Sequence, residues 1–290
     1  MSYNSLAAKE SAEPKNSYEA PYSSIVLHVP HAKKDVPEDL WRVPNPYITS
    51  TQPNIELSIQ SASRPFIDWY TDELFVPSEE NERIKSIVFQ WNRAICDVER
   101  LAHDPLEKKR VDESRPHGLT LGISMFDFGD WCYKCNLARN KCYNNYMAHQ
   151  RALEDLLMKS STNGLESYCC YPPVLLIDCH SFSASPTALC PEPSDIDICL
   201  GYNDDWSRPS DDTLQVVADY FKGKGYKVGF NTPFSCSKTV EVPINYHSLM
   251  IEVSKRLYMN EETLEKTENF AQLQIDLQAL YPLLLKSKKY

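Results

Sequence analysis

The stretch LLIDCHSF, Leu175 to Phe182, decides how the rest of the chain is read. Together with Val174 it opens on four consecutive aliphatic residues. A strand with one wet face alternates, so an unbroken apolar run reads as a central strand covered on both faces. Asp178, Cys179, His180 and Ser181 follow at once. They are expected just past the strand, at the carboxyl edge of the sheet, where open α/β proteins bind their ligands.

Working outward, SSIVLHVPH (23–31) gives a second strand with Ile25, Leu27 and Val29 alternating and Pro30 as its stop. A third is expected at 86–91, and others in DICLGYN (197–203), YKVGFN (226–231) and SLMIEVSKRLYM (248–259). Between the fourth and fifth lies a helix. Ser210 is its N-cap, Asp211 and Asp212 fill its first turn, and Leu214, Val217, Ala218 and Phe221 form its apolar stripe as far as Gly223. A last helix is expected from about Asn260, with Leu273, Leu277 and Leu280 turned to the core. Strands alternating with helices predict an α/β fold with a mixed, mostly parallel sheet flanked by helices. The 290 residues fit one large domain, assigned to 23–290. Residues 1–22 are polar, lack the basic start and apolar centre of a secretory signal, and read as a poorly ordered tail.

Composition excludes several classes. At 42% hydrophobic and 24% charged residues the chain can build a large core, and with no apolar run of about 18 residues a membrane span is not expected. The formal charge of −10 opposes binding to a phosphate backbone, so no nucleic-acid partner is expected. A small anionic substrate would instead need a local cluster of arginines. Ten cysteines without a secretory signal or glycosylation sequon read as reduced thiols of a cytoplasmic protein. The pair in CYKC (132–135) has no second pair to complete a zinc ribbon and runs into a helical segment. Motifs for dinucleotides, triphosphates, serine hydrolases and HExxH metalloproteases are absent.

His180 and His31 each follow an expected strand. Either could be a satisfied structural histidine, but two imidazoles at two strand exits can converge on a metal. FIDWYTDELF supplies Asp68, Asp72 and Glu73 as candidate carboxylate partners, with Asp68 and Asp72 on one face if the segment is helical. His28, inside its strand, reads as a packing residue. Glu252 stands between Ile251 and Val253, which suits either a solvent-facing residue of an edge strand or a half-buried general base. Arg93, Arg100 and Arg256 offer bidentate forks for carboxylates, unless Asp97 or Glu99 engages the first two as surface ion pairs.

The blocks HVPH (28–31), DWYTDELF (68–75), NRAICDVER (92–100), LLIDCHSF, DICLGYND (197–204), GYKVGFNTPF (225–234) and LMIEVSKRLYM (249–259), in this order, resemble the N-formylglutamate amidohydrolases over about residues 23–260. The resemblance implies a hydrolase fold like that of the zinc exopeptidases, and hydrolysis of the amide of an N-acyl amino acid, by default N-formyl-L-glutamate. It implies one zinc ion on His31, His180 and an acid of the second block, Asp72 in preference to Asp68. It further implies Glu252 and Arg100 as catalytic residues, Arg93, Asn231 and Arg256 as substrate-binding residues, and Asp178 as a brace for the site. Ala32, Cys236, Ser254 and Lys255 depart from the family pattern, which allows another acylated amino acid or small peptide as substrate, or an anion-binding member without turnover. Oligomeric state is not readable from the sequence.

Overall fold

The computed structural model describes residues 21–37, 61, 63–100, 136–161, 173–185 and 194–285. Six strands form one sheet: β1 (Ser24–Val29), β2 (Ile84–Val88), β3 (Val174–Phe182), β4 (Ile198–Gly201), β5 (Val228–Phe230) and β6 (Tyr246–Ser254), in the order β2-β1-β3-β6-β4-β5. All neighbours run parallel except β4 and β6. The helices are α1 (Thr71–Phe75), α2 (Asn136–Ser160), α3 (Asp211–Gly223), α4 (Phe270–Gln278) and α5 (Tyr281–Leu284). This is the expected single-domain α/β fold with a mixed, mostly parallel sheet.

Side chains alternate across the pleat, and in the three central strands the split is clean. Ile25, Leu27 and Val29, Leu175, Ile177 and Cys179, and Leu249, Ile251 and Val253 all enter one apolar layer. That layer is closed by Leu74 and Phe75 of α1, the α3 stripe Leu214, Val217, Ala218 and Phe221, and Leu273 and Leu277 of α4. Each such side chain, when fully buried, contributes about 1.5–3 kcal/mol. On the opposite face Val26, Val174, Leu176 and Tyr246 pack against Leu153 and Leu157 of α2 at one end of the strands. Towards the carboxyl ends the same face turns polar.

Four expectations are corrected by this architecture. Asp178, Cys179, His180 and Ser181 lie inside β3, because the β6 ladder continues in register from Val174↔Tyr246 to Phe182↔Ser254. β6 is an interior strand between β3 and β4, so Glu252 is not at an edge. α1 begins only at Thr71, after Tyr70 in the left-handed region (φ 65°), so Asp68 precedes the helix and shares no helical face with Asp72. The helix expected from about Asn260 is α4, which starts at Phe270; Asn260 Oδ1 accepts the amides of Glu262 and Thr263 and holds a turn instead. The α3 N-cap is as expected, with Ser210 Oγ accepting the Thr213 amide.

Tyr22, counted with the tail on sequence grounds, is buried and bridges to Leu285. The remainder of the tail up to residue 20, and the pair Cys132 and Cys135, lie outside the described residues. Cys96, Cys142, Cys179 and Cys199 are buried free thiols and Cys236 is exposed. Among the described residues no helix is long and apolar enough to cross a membrane.

Candidate active site

Registered neighbours in a parallel pair project to the same face. The pairing His28↔Asp178↔Met250 therefore sets one row across β1, β3 and β6, and His180↔Glu252 sets the next, with Cys199 of β4 opposite Glu252. Beyond the end of β1, Pro30 turns the chain and His31 follows; its carbonyl accepts the Asp68 amide at 3.0 Å. Three distant segments thereby place His31, Asp68 and His180 together, all buried, with one ligand atom of each within 4.8 Å of the others.

The orientation of the rings is specific. His180 Nδ1 is 3.0 Å from Asp68 Oδ2 and its Nε2 is 3.2 Å from Asp178 Oδ1. His31 Nε2 is 2.8 Å from Asp97 Oδ1, while its Nδ1 lies 3.6 Å from Asp68 Oδ2 and has no hydrogen-bond partner. A carboxylate can only accept, so His31 donates from Nε2 to Asp97 and leaves Nδ1 unpartnered, whereas His180 faces a carboxylate at each nitrogen and donates from both. Burial alone would push the His180 imidazole down, but Asp178 and then Asp68 outweigh it and hold its pKa well above the usual histidine value. Burial likewise opposes ionisation of Asp68, yet the hydrogen bond from His180 and the His31 imidazole beside it hold its carboxyl below the ordinary range. The centre is thus a buried, anion-rich cradle that stabilises positive charge.

Two imidazole nitrogens and a carboxylate oxygen, each imidazole braced by a further carboxylate, suit a divalent ion such as zinc. The unpartnered buried Nδ1 of His31 is the atom such an ion would satisfy. The residues present fit the metal that the sequence reading implied, with one substitution: Asp68 rather than Asp72 stands at the histidines. Asp72, on the solvent side of α1, is ion-paired with Lys33 Nζ at 2.5 Å.

Glu252 borders the triad, is 8% exposed, and its Oε2 has no hydrogen-bond partner. Burial pushes its carboxyl up to about 8. The pocket in front has a volume of about 290 Å³, at the lower edge of the range for small-molecule sites. His31, His180, Glu252, Arg93 and Arg100 all line it. Arg93 donates to Asp97 Oδ2 at 3.0 Å and Arg100 Nε lies 3.6 Å from the same oxygen, so Asp97 orders both guanidinium groups as well as His31. Phe66, Phe182, Phe234 and Met250 supply an apolar side.

Two other expected residues are elsewhere. Asn231, in the left-handed region (φ 50°), accepts the Tyr202 amide through Oδ1, a structural turn away from the pocket lining. Arg256 bonds the carbonyls of Ser194 and Asp195 and the carboxylate of Asp197. In its place Lys255 lines the pocket; it is buried, donates to the Pro65 carbonyl at 3.2 Å, and has its pKa lowered by that burial. Sequence reasoning undervalued Asp97, weighed only as an alternative surface partner of the arginines although it is fully buried, and His28, taken as packing although its Nδ1 is 2.9 Å from Asp178 Oδ1. Two histidines in HVPH were the available signal for the latter.

The family model described as N-formylglutamate amidohydrolase matches residues 23–259. Among solved structures, the N-formylglutamate amidohydrolase from Ralstonia eutropha JMP134 is 22% identical with a TM-score of 0.60, covering 90% of this chain and 92% of its own. A gene product of Agrobacterium tumefaciens, Atu2144, is 13% identical with a TM-score of 0.51, over 91% and 90% of the two chains. No curated protein sequence matches significantly.

Proposed function

Since the chain belongs to the N-formylglutamate amidohydrolase family, we propose that it hydrolyses the amide of a small N-acyl amino acid, N-formyl-L-glutamate first among them, with a divalent metal ion on His31, Asp68 and His180. The observation that carries the reading is the buried triad itself, with His31 Nδ1 unpartnered and Glu252 alongside. An ion held there supplies Lewis acidity, which acidifies water and polarises a carbonyl oxygen.

The chain's own residues do the rest. With an ion in place, Asp97 and Asp178 would keep the Nε2 protons of His31 and His180 and leave both Nδ1 lone pairs for it. Glu252, whose carboxyl is raised by burial, takes a proton from the attacking water at its unpartnered Oε2 and returns it to the departing nitrogen. For the formyl substrate the C–N bond breaks, hydroxyl joins the formyl carbon, and formate and the amino acid leave. Arg100 and Lys255, both lining the pocket, hold the substrate's carboxylates, the first as a fork and the second as a point charge. Arg93, tied to Asp97, serves more by bracing than by binding.

The apolar side formed by Phe66, Phe182, Phe234 and Met250 favours a second reading, an N-acyl amino acid with an apolar side chain. Formate or carboxylate release from a panel of acyl amino acids, with metal content measured on the same sample, separates the two. Glu252→Gln is expected to keep its metal and lose at least about a hundredfold in kcat; unchanged turnover would remove Glu252 from the mechanism. A metal-free wild type that binds an anion without turnover would overturn the catalytic reading.

A further inference from the structure

Behind the triad lies a second cluster that shares Asp178 with it but adds His28 and Glu99, which the reaction above does not use. His28 is fully buried, and its Nδ1 is 2.9 Å from Asp178 Oδ1 and 3.3 Å from Glu99 Oε1. One imidazole nitrogen carries at most one proton and serves one of those carboxylates. Asp178 is already well supplied, since Oδ1 is also 3.2 Å from His180 Nε2 and Oδ2 accepts the Lys238 amide at 2.9 Å. Glu99 Oε1 is left buried without a hydrogen bond. A carboxylate oxygen in that condition is costly unless a cation or donor meets it. The same mark, a buried ligand atom with nothing to bind, distinguishes His31 Nδ1 in the first cluster.

The far side of the ring is prepared in a matching way. His28 Nε2 lies 3.0 Å from His149 Nε2. His149 is buried, and a neutral imidazole there can accept a proton at Nε2. A histidine bound to a cation through Nδ1 keeps its proton on Nε2 and needs such an acceptor. Glu99 also lines the substrate pocket, which gives an ion a way in.

We propose that His28 Nδ1, Asp178 Oδ1 and Glu99 Oε1 form a second divalent-cation position, with Asp178 standing between it and the first. The three ligand atoms lie within 4.8 Å of one another. One imidazole and two carboxylates suit zinc, manganese or ferrous ion. The inference rests on the metal reading of the first triad, and the test separates the two. Full-length protein is stripped with a chelator, equilibrated with excess manganese chloride, freed of unbound ion, and measured for metal content and by electron paramagnetic resonance. Two equivalents and a spin-coupled signal are expected, falling to one equivalent with an isolated six-line signal in Glu99→Gln. One equivalent in the wild type, removed by Asp68→Ala and untouched by Glu99→Gln, overturns the second position and leaves the first standing. No uptake by any form overturns both. The wild-type stoichiometry and signal decide the matter even if a variant fails to fold.

Discussion

Glu252 is a carboxyl group placed where its charge is unfavourable, and Glu252→Gln in metal-free protein measures by how much. Burial raises the group from 4.5 to about 8. The native state therefore keeps a proton that the unfolded chain releases, so stability falls as pH climbs from 4.5 through 8. Every tenfold weakening of an acid on folding corresponds to about 1.4 kcal/mol. The rise from 4.5 to about 8 thus amounts to a loss on the order of 5 kcal/mol across the window. Glutamine has nearly the same shape and no charge to release. The two proteins are expected to match near pH 5, with the variant more stable by several kcal/mol at pH 8.5. Urea unfolding of chelator-treated samples at intervals from pH 5 to 9 gives the comparison, and groups common to both cancel in the difference. Re-adding zinc should shrink the gap, because a neighbouring cation favours the ionised carboxyl. A difference that stays constant from pH 5 to 9 would refute the reasoning.

Asp68→Asn is expected to strip bound metal while Asp72→Asn retains it, as elemental analysis would show; the opposite result would restore Asp72 to the ligand set. Arg100→Ala should raise KM for an anionic substrate by about tenfold or more, whereas Arg256→Ala should leave KM unchanged, since Arg256 is occupied by Ser194, Asp195 and Asp197. Gly201→Ala should destabilise the fold by about 1–3 kcal/mol, because a Cβ there meets the Cys236 carbonyl oxygen at 2.5 Å and the Met250 side chain. Thermal unfolding checks it, and an unchanged midpoint would show that the 236 loop yields freely.

Much of the sheet was legible because its determinants are local. The alternation of Ile25, Leu27 and Val29, and the cap and stripe of α3, are written in adjacent letters. The ends of β3 and of α4 were not, because neighbours in space decide them: β6 carries the β3 ladder through Ser181, and Asn260 holds a turn in a segment whose pattern permitted helix. The same limit divided the site. His31, His180 and Glu252 could be proposed from their places beside or within strands, whereas choosing between Asp68 and Asp72 needed the knowledge that Tyr70 breaks the helix. Asp97 looked like a surface partner since sequence spacing says nothing of the three groups that surround it. Arg256 carried the right fork and the wrong address; Lys255, one residue earlier, faces the pocket.

The two faces of the sheet leave the central strands carrying two interleaved texts. In β1, β3 and β6 the odd-numbered residues spell the fold, and the even-numbered ones near the carboxyl ends, His28, Asp178, His180 and Glu252, spell the chemistry. Rewriting only the even letters exchanges one reagent for another without disturbing the grease beneath. Such a scaffold can drift to new substrates one alternate position at a time, and a library confined to those positions would sample reactions rather than folds.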